Sequence, residues 1–187
     1  EPAHADALRI HAALLAKANR REEAIEDYTR LISSGAALKA DAVTQSFLDR
    51  GRLHLEGEEW SAATEDFSKY LEVYPDDVDA LTLRARAELA QNEVAKAITD
   101  LTLAILKKPA SDLYALRAAA FDQFHESAAA LADLQKVVDL QHGIPDAYQK
   151  LAERLFQDRQ FGKAAETLDS LAASNAGHLS AELRLVR

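Results

Sequence analysis

The sequence predicts an all-α chain built from about five helical hairpins, and three observations carry that reading. Only six of the 187 residues are Gly and four are Pro, so Ala, Leu, Glu and Arg fill the chain with good helix formers and few breakers. Pairs of small residues twelve apart recur at Ala12 and Ala24, Gly51 and Ala63, Ala85 and Ala97, Ala118 and Ala130, and Ala152 and Ala164. Their second members lie 39, 34, 33 and 34 residues apart, the kind of period that marks a stacked array of one supersecondary unit. Other features keep the same phase. Asp27, Asp66, Asp100 and Asp133 each follow the second small residue by three, and Tyr28, Phe67, Leu101, Leu134 and Leu168 follow it by four.

The elements can be justified in order. The first hairpin is placed around Ala12 and Ala24, over residues 5–38. Five residues are then added within "SSGAALKADAVTQ", which predicts a longer connection, a tolerated surface insertion. The second unit, 44–77, has Phe47, Gly51, His54 and Leu55 at helical spacing, an interruption at "EGEE", then Ala63, Phe67, Tyr70 and Leu71. Small residues facing each other let two antiparallel helices approach closely. Pro75 and Pro109, 34 apart, are expected to stop the second helices of the second and third units and turn the chain onward. The remaining units are 78–110, 111–144 and 145–178. The tail "HLSAELRLVR" puts Leu179, Leu183 and Val186 on one side, which predicts a C-terminal capping or partial helix over 179–187. The whole of 1–187 is expected to form a single repeat domain.

Composition excludes several function classes. A net charge of −9 argues against nucleic acid as the partner, because counterion release needs a basic footprint. No apolar run approaches the roughly 20 residues of a membrane span, so direct membrane insertion is not expected. Cysteine is absent, which removes disulfides and thiolate metal sites. The chain lacks Met and starts at Glu1-Pro2, which reads as a processed chain or a fragment, soluble and either cytoplasmic or exported. The histidines, His4, His11, His54, His125, His142 and His178, show no metal-ligand spacing, and no nucleophile turn or phosphate-binding glycine motif occurs. The reading is therefore of a non-enzymatic protein with no cofactor and no metal.

One charge pattern does recur. Arg50 and Asp66, Arg84 and Asp100, and Arg117 and Asp133 are each sixteen apart. Each Arg precedes the small residue of a first helix, which predicts a structural ladder of salt bridges, within a hairpin or to the next one, that fixes repeat stacking. His11 and His54 are assigned to packing or the surface.

The period and these residues resemble the tetratricopeptide repeat family. Phe47, Gly51, His54, Ala63, Phe67 and Pro75 follow its order, as do Tyr114, Ala118, Phe121, Ala130 and Leu134, and Tyr148, Ala152, Leu155, Phe161, Ala164 and Leu168. The family's turn glycine is displaced to Gly57 or absent, and its terminal proline is missing from the first, fourth and fifth units. The resemblance covers about residues 5–178 and implies a right-handed α-solenoid. The alanine-rich style of the repeats is that expected of a bacterial chain.

Such arrays bind peptides or helices of partner proteins in a groove lined by first helices, so the resemblance implies a protein-interaction scaffold. Carried over position by position, the groove comprises Arg9, Ala13 and Lys17; Gln45, Leu48, Arg52 and Leu55; Asp79, Thr82, Arg86 and Leu89; Asp112, Ala115, Ala119 and Asp122; and Asp146, Gln149, Glu153 and Phe156. Arg52 and Arg86, equivalent in neighbouring repeats, either grip peptide carboxylates or stay solvated. Asp122, Asp146 and Glu153 predict an acidic end. The family's two-carboxylate clamp for chaperone tails is not expected, since its places hold Arg9, Ala13, Asp49, Asp79 and Leu83, of which only Arg9 has the required charge. Two alternatives stand beside the scaffold: a homo-oligomerising or localisation module acting through its terminal helices, and a regulatory portion of a larger enzyme.

Overall fold

The computed structural model describes the backbone of residues 2–34 and 40–185 and the side chains of 6–34 and 41–174. Among the described residues there are ten helices and no strand: α1 (Pro2–Lys17), α2 (Arg21–Ser33), α3 (Ala40–Glu56), α4 (Trp60–Leu71), α5 (Val78–Ala90), α6 (Val94–Lys107), α7 (Ser111–Gln123), α8 (Ser127–Leu140), α9 (Pro145–Gln157) and α10 (Phe161–Leu185). The chain divides into two units, Glu1–Lys107 and Lys108–Arg187. In the first, α1 packs on α2, α3 on α4 and α5 on α6, with α2 against α3 and α4 against α5. In the second, α7 packs on α8, α8 on α9 and α9 on α10.

Every hairpin closes the same way. The middle residue of each turn, Asn19, Glu58, Asn92, His125 or Arg159, has a positive φ of 59–62° and lies seven residues past the small residue of its first helix. The following N–H donates to the carbonyl five residues back: Arg20 to Leu15, Glu59 to His54, Glu93 to Glu88, Glu126 to Phe121 and Gln160 to Leu155, at 2.8–2.9 Å. This left-handed cap satisfies carbonyls that the end of the first helix would otherwise leave open. No glycine occupies the left-handed position; in the second hairpin it is Glu58, one residue beyond Gly57.

The small residues sit where the helices touch. Ala12, Ala24, Ala63, Ala85, Ala97 and Ala130 are fully buried. A Cβ added at Gly51 would lie 2.8 Å from Phe67 Cε1 and 3.1 Å from Asp66 Cβ, so bulk there must displace the fully buried Phe67 ring. Ala12, Leu15, Ala24, Tyr28 and Leu53 form one core cluster of the first unit. In the second unit, Ala118, Leu134, Val137, Val138, Tyr148, Leu151 and Leu155 pack together, with Tyr114, Leu131 and Leu171 at the margin.

Two expectations are corrected. The residues added before the second unit do not all lengthen a connection: α3 begins at Ala40 and runs for 17 residues against 13 in α5, so part of the insertion is an extra helical turn. Residues 35–39 lie outside the described residues. The tail expected as a separate helix over 179–187 instead continues α10, which is unbroken for 25 residues to Leu185, because its Ala- and Leu-rich sequence contains no proline to stop it. α4 ends at Leu71 and α6 at Lys107, shortly before Pro75 and Pro109. Asp77 then caps α5, its carboxylate accepting from the Ala80 N–H at 2.9 Å.

Candidate functional site

In the first unit, α3 and α5 lie side by side and each presents an arginine one residue past its small residue. Arg52 and Arg86 are both exposed, and Leu55 and Leu89, nearly one turn on, are half-buried. Arg52 Nη1 is 3.9 Å from Asp49 Oδ1, a loose pairing, and Arg86 makes no ion pair or hydrogen bond among the described residues. Thr82 is half-buried, its hydroxyl donating to the Val78 carbonyl at 2.7 Å.

The structure corrects Leu48, expected on the groove surface: it is only 4% exposed. It falls one turn before Gly51, on the stripe that α3 turns inward, and belongs to the packing. Arg9 and Gln45 are half-buried. Burial pushes the Asp49 carboxyl up, opposed by the amide of Gln45 and the guanidinium groups of Arg52 and Arg9. Burial, reinforced by Asp49, raises the Tyr28 phenol to about 12. At the end of α4, the Tyr70 hydroxyl donates to Asp77 at 3.0 Å; burial and that bond raise it to about 12. The α3–α5 face thus combines two exposed arginine heads with a half-buried leucine pair, while Tyr28 and Tyr70 belong to the buried packing of α2 and α4.

In the second unit, Ala119, Gln149 and Glu153 are exposed, and Gln149 donates to Glu153 at 2.7 Å. The expected acidic end is largely paired off. Asp122 meets Arg154 at 2.5 Å, and Asp146 meets Lys150 at 2.8 Å. Phe156 is 64% exposed and stacks edge-on against Phe161, ring centroids 5.1 Å apart. These rings border a cavity of about 550 Å³ between α9 and α10, floored by Ala152, Ala164 and Ala165.

The sixteen-residue charge pairs are each brought together within one hairpin, bidentately. Arg50 donates to Asp66 through Nε at 2.8 Å and Nη2 at 2.7 Å. Arg84 reaches Asp100 at 2.6 and 2.8 Å, and Arg117 reaches Asp133 at 2.8 Å twice. All three aspartates are buried. Two arginines also reach back to the preceding hairpin: Arg50 Nη1 donates to the Thr29 hydroxyl at 2.9 Å, and Arg84 Nη1 to the Ser68 hydroxyl at 3.2 Å. Arg50 lies over the Phe47 ring, and Arg117 over Tyr114 and Phe121. The hydrogen bonds that Arg84 and Arg117 donate to Asp100 and Asp133 hold the two guanidinium groups protonated more firmly than usual.

Sequence reasoning missed two members of this system. His11 occupies the ladder's arginine place in the first hairpin, its Nδ1 bonded to Asp27 at 2.5 Å; the in-phase Asp27 was the signal. Glu88, four residues after Arg84, is 4% exposed, and its Oε2 has no hydrogen-bond partner. Burial, with Asp100 nearby, raises its carboxyl to about 7. No described helix is long and apolar enough to cross a membrane.

No family model matches the chain. Sperm-associated antigen 1 of Rattus norvegicus is 33% identical over 92 residues, 49% of this chain and 10% of that protein. The mitochondrial import receptor subunit TOM70 of Homo sapiens is 24% identical over 176 residues, 88% of this chain and 28% of that protein. The chain thus spans about a tenth to under a third of these relatives. Among solved structures, MamA matches with a TM-score of 0.81 at 15% identity over 94% of both chains. MamA from Desulfovibrio magneticus RS-1 matches at 0.77 and 18% identity, covering 92% of this chain and 96% of that one. YrrB, described as a TPR protein with an unusual peptide-binding site, matches at 0.73 and 16% identity, covering 96% of this chain and 91% of that one. Together with five hairpins that share one turn geometry and one small-residue contact, this likeness makes the chain an α-solenoid with the tetratricopeptide repeat fold.

Proposed function

We propose that this chain is a non-catalytic interaction scaffold that binds a peptide or helix of a partner protein on the first-helix face, with Arg52 and Arg86 gripping carboxylates. The observation that carries this reading is the placement of two exposed guanidinium groups at equivalent positions of the adjacent helices α3 and α5, each followed by a half-buried leucine. A guanidinium fork matches a carboxylate in two-point geometry, and Leu55 and Leu89 offer apolar contact beside each charge. Because α3 and α5 are fixed by the ladder, little ordering cost falls on the scaffold, and modest contacts sum on a preformed surface. The peptide-binding site ascribed to YrrB supports a peptide ligand for this fold. Arg9 and Thr82 border the same face, whereas Ala119, Gln149 and Glu153 give the second unit a small, uncharged to acidic counterpart.

The test is selection of a displayed random-peptide library on the immobilised chain, repeated with an Arg52→Glu, Arg86→Glu variant of unchanged circular dichroism. Enrichment of peptides combining Asp or Glu with an apolar residue, lost with the variant, is expected. Enrichment of the same peptides by both proteins would overturn the reading.

A further inference from the structure

We propose that Glu88 makes the α5–α6 hairpin a proton-controlled element: with its proton the hairpin stays closed, and without it α5 parts from α6 and the α3–α5 face loses Arg86. The control of binding rests on the reading of that face as the ligand surface, whereas the opening itself does not.

Glu88 stands three residues past the small residue of its first helix. The same place holds Leu15, Phe121 and Leu155 in the first, fourth and fifth hairpins. Leu15 packs in one cluster with Ala24 and Tyr28 of α2, and Leu155 in another with Ala164 of α10, so this is a position for apolar contact with the second helix. In the second hairpin it is filled by His54, which has partners: its Nδ1 lies 2.7 Å from Glu59 Oε2 and its Nε2 3.8 Å from Asp66 Oδ2. Glu88 is less well served. Its side chain is 5% exposed and its Oε2 has no hydrogen-bond partner. Its Oε1 is 3.9 Å from Arg84 Nε, beyond hydrogen-bond reach.

The guanidinium beside it is already taken. Arg84 gives two hydrogen bonds to Asp100 and a third to the Ser68 hydroxyl. The other charged groups that act on Glu88 are Asp100 and Lys96 of α6 and Glu93 of the turn, and Lys96 is itself held by Glu93 at 2.7 Å. From α4, on the other side of α5, Thr64 and Ser68 reach the hairpin with hydroxyls only. An ionised Glu88 is therefore a desolvated charge without a hydrogen bond, beside a second carboxylate that holds the one available cation. Burial and then Asp100 accordingly raise its carboxyl to about 7.

Parting α5 from α6 lets water reach the carboxylate and returns it to the ordinary range. The closed hairpin holds the proton and the open one releases it, so the opening constant rises with pH, by about tenfold per unit between the ordinary carboxyl range and about 7, and levels off above. Arg86 and Leu89 lie on the same turn of α5 as Glu88, so opening removes half of the paired arginine and leucine contacts. Peptide carboxylates are ionised throughout the upper part of this window, and the loss of grip there is the scaffold's own.

The experiment is amide hydrogen exchange of the 187-residue chain, followed by NMR at pH 5.5, 6.5 and 7.5 and expressed as protection factors, which remove the pH dependence of the intrinsic rate. Wild type is compared with Glu88→Gln, which mimics the protonated acid, and with Glu88→Leu, which installs the residue of the first and fifth hairpins. Protection in α5 and α6 of wild type is expected to fall about tenfold or more from pH 5.5 to 7.5, with α7 to α9 unchanged, and to stay level in both variants. His54 is intact in the variants, so any share it has in the pH dependence survives there. Protection that is level in wild type, that falls alike in the variants, or that falls equally in every helix would overturn the proposal. A peptide enriched in the display selection is then titrated over the same pH range: its dissociation constant should rise with pH for wild type and not for Glu88→Gln. An affinity independent of pH beside the expected exchange would overturn the control of binding, and a selection that enriches no peptide would strike the ligand reading while leaving the exchange result to decide the opening.

Discussion

Replacing Asp66 by Ala removes the acceptor of both hydrogen bonds from Arg50, at 2.8 and 2.7 Å, and leaves a guanidinium only 17% exposed with its bond to Thr29. Breaking a buried pair by deleting one partner costs about 3–5 kcal/mol, because the remaining charge is desolvated and uncompensated. The partial exposure of Arg50 and its surviving bond place the expected loss near the lower end, about 3 kcal/mol. For a chain of this size that corresponds to a fall of about 6–12 °C in Tm. The paired substitution Arg50→Met, Asp66→Leu removes both charges and keeps the volume, so its cost is expected to be below about 1 kcal/mol. Urea unfolding of wild type, both single variants and the double variant gives the coupling energy directly. A loss below about 1 kcal/mol for Asp66→Ala, or a double variant as destabilised as the single ones, would refute the view that this ladder is a buried, mutually dependent pair.

Other outcomes follow from the same geometry. Glu88 has its carboxyl raised to about 7, above the ordinary value of the unfolded chain, so the folded state holds the proton more tightly. Its stabilising contribution is full below the ordinary carboxyl range and is lost as pH rises through about 7. Glu88→Gln should therefore flatten the fall in stability over that window and exceed wild type by about 1–3 kcal/mol at pH 8; parallel pH–stability curves would contradict this. At Gly51, an Ala gains about 1 kcal/mol of helix propensity but meets Phe67 at 2.8 Å. Gly51→Ala should change chemical stability by less than about 2 kcal/mol, and Gly51→Leu should destabilise by more, as read in urea melts. His125 sits at a φ of 62°, so His125→Gly should stabilise by about 0.5–1 kcal/mol, the relief of left-handed strain exceeding the added entropy of the unfolded glycine.

The hairpin array is legible in the sequence because close helix contact admits only small residues, and their period survives even though Ala is common in the chain. The Arg–Asp spacing is legible for a similar reason: sixteen residues span the last two turns of the first helix, one three-residue turn and the first two turns of the second. His11 was harder to place because a different residue type fills the same position, so pattern matching on arginine passes over it while Asp27 keeps the phase. The turn conformations are not legible from composition. Asn, Glu, His and Arg are held left-handed by the cap hydrogen bonds and by the packing of the helices on either side, at a position that glycine would adopt without steric cost. Leu48 is a larger apolar residue than its repeat equivalents Thr82, Ala115 and Gln149, and whether such a position faces inward depends on the packing around Gly51. The pairing of Asp122 with Arg154 joins α7 to α9, and no local spacing announces it.

The most direct test of the α3–α5 face is an NMR titration of the labelled chain with a peptide enriched in the display selection. The account predicts backbone and arginine side-chain shifts concentrated at Arg52, Leu55, Arg86 and Leu89, abolished by the Arg52→Glu, Arg86→Glu substitution. Shifts clustered instead away from α3 and α5, and retained in that variant, would contradict it.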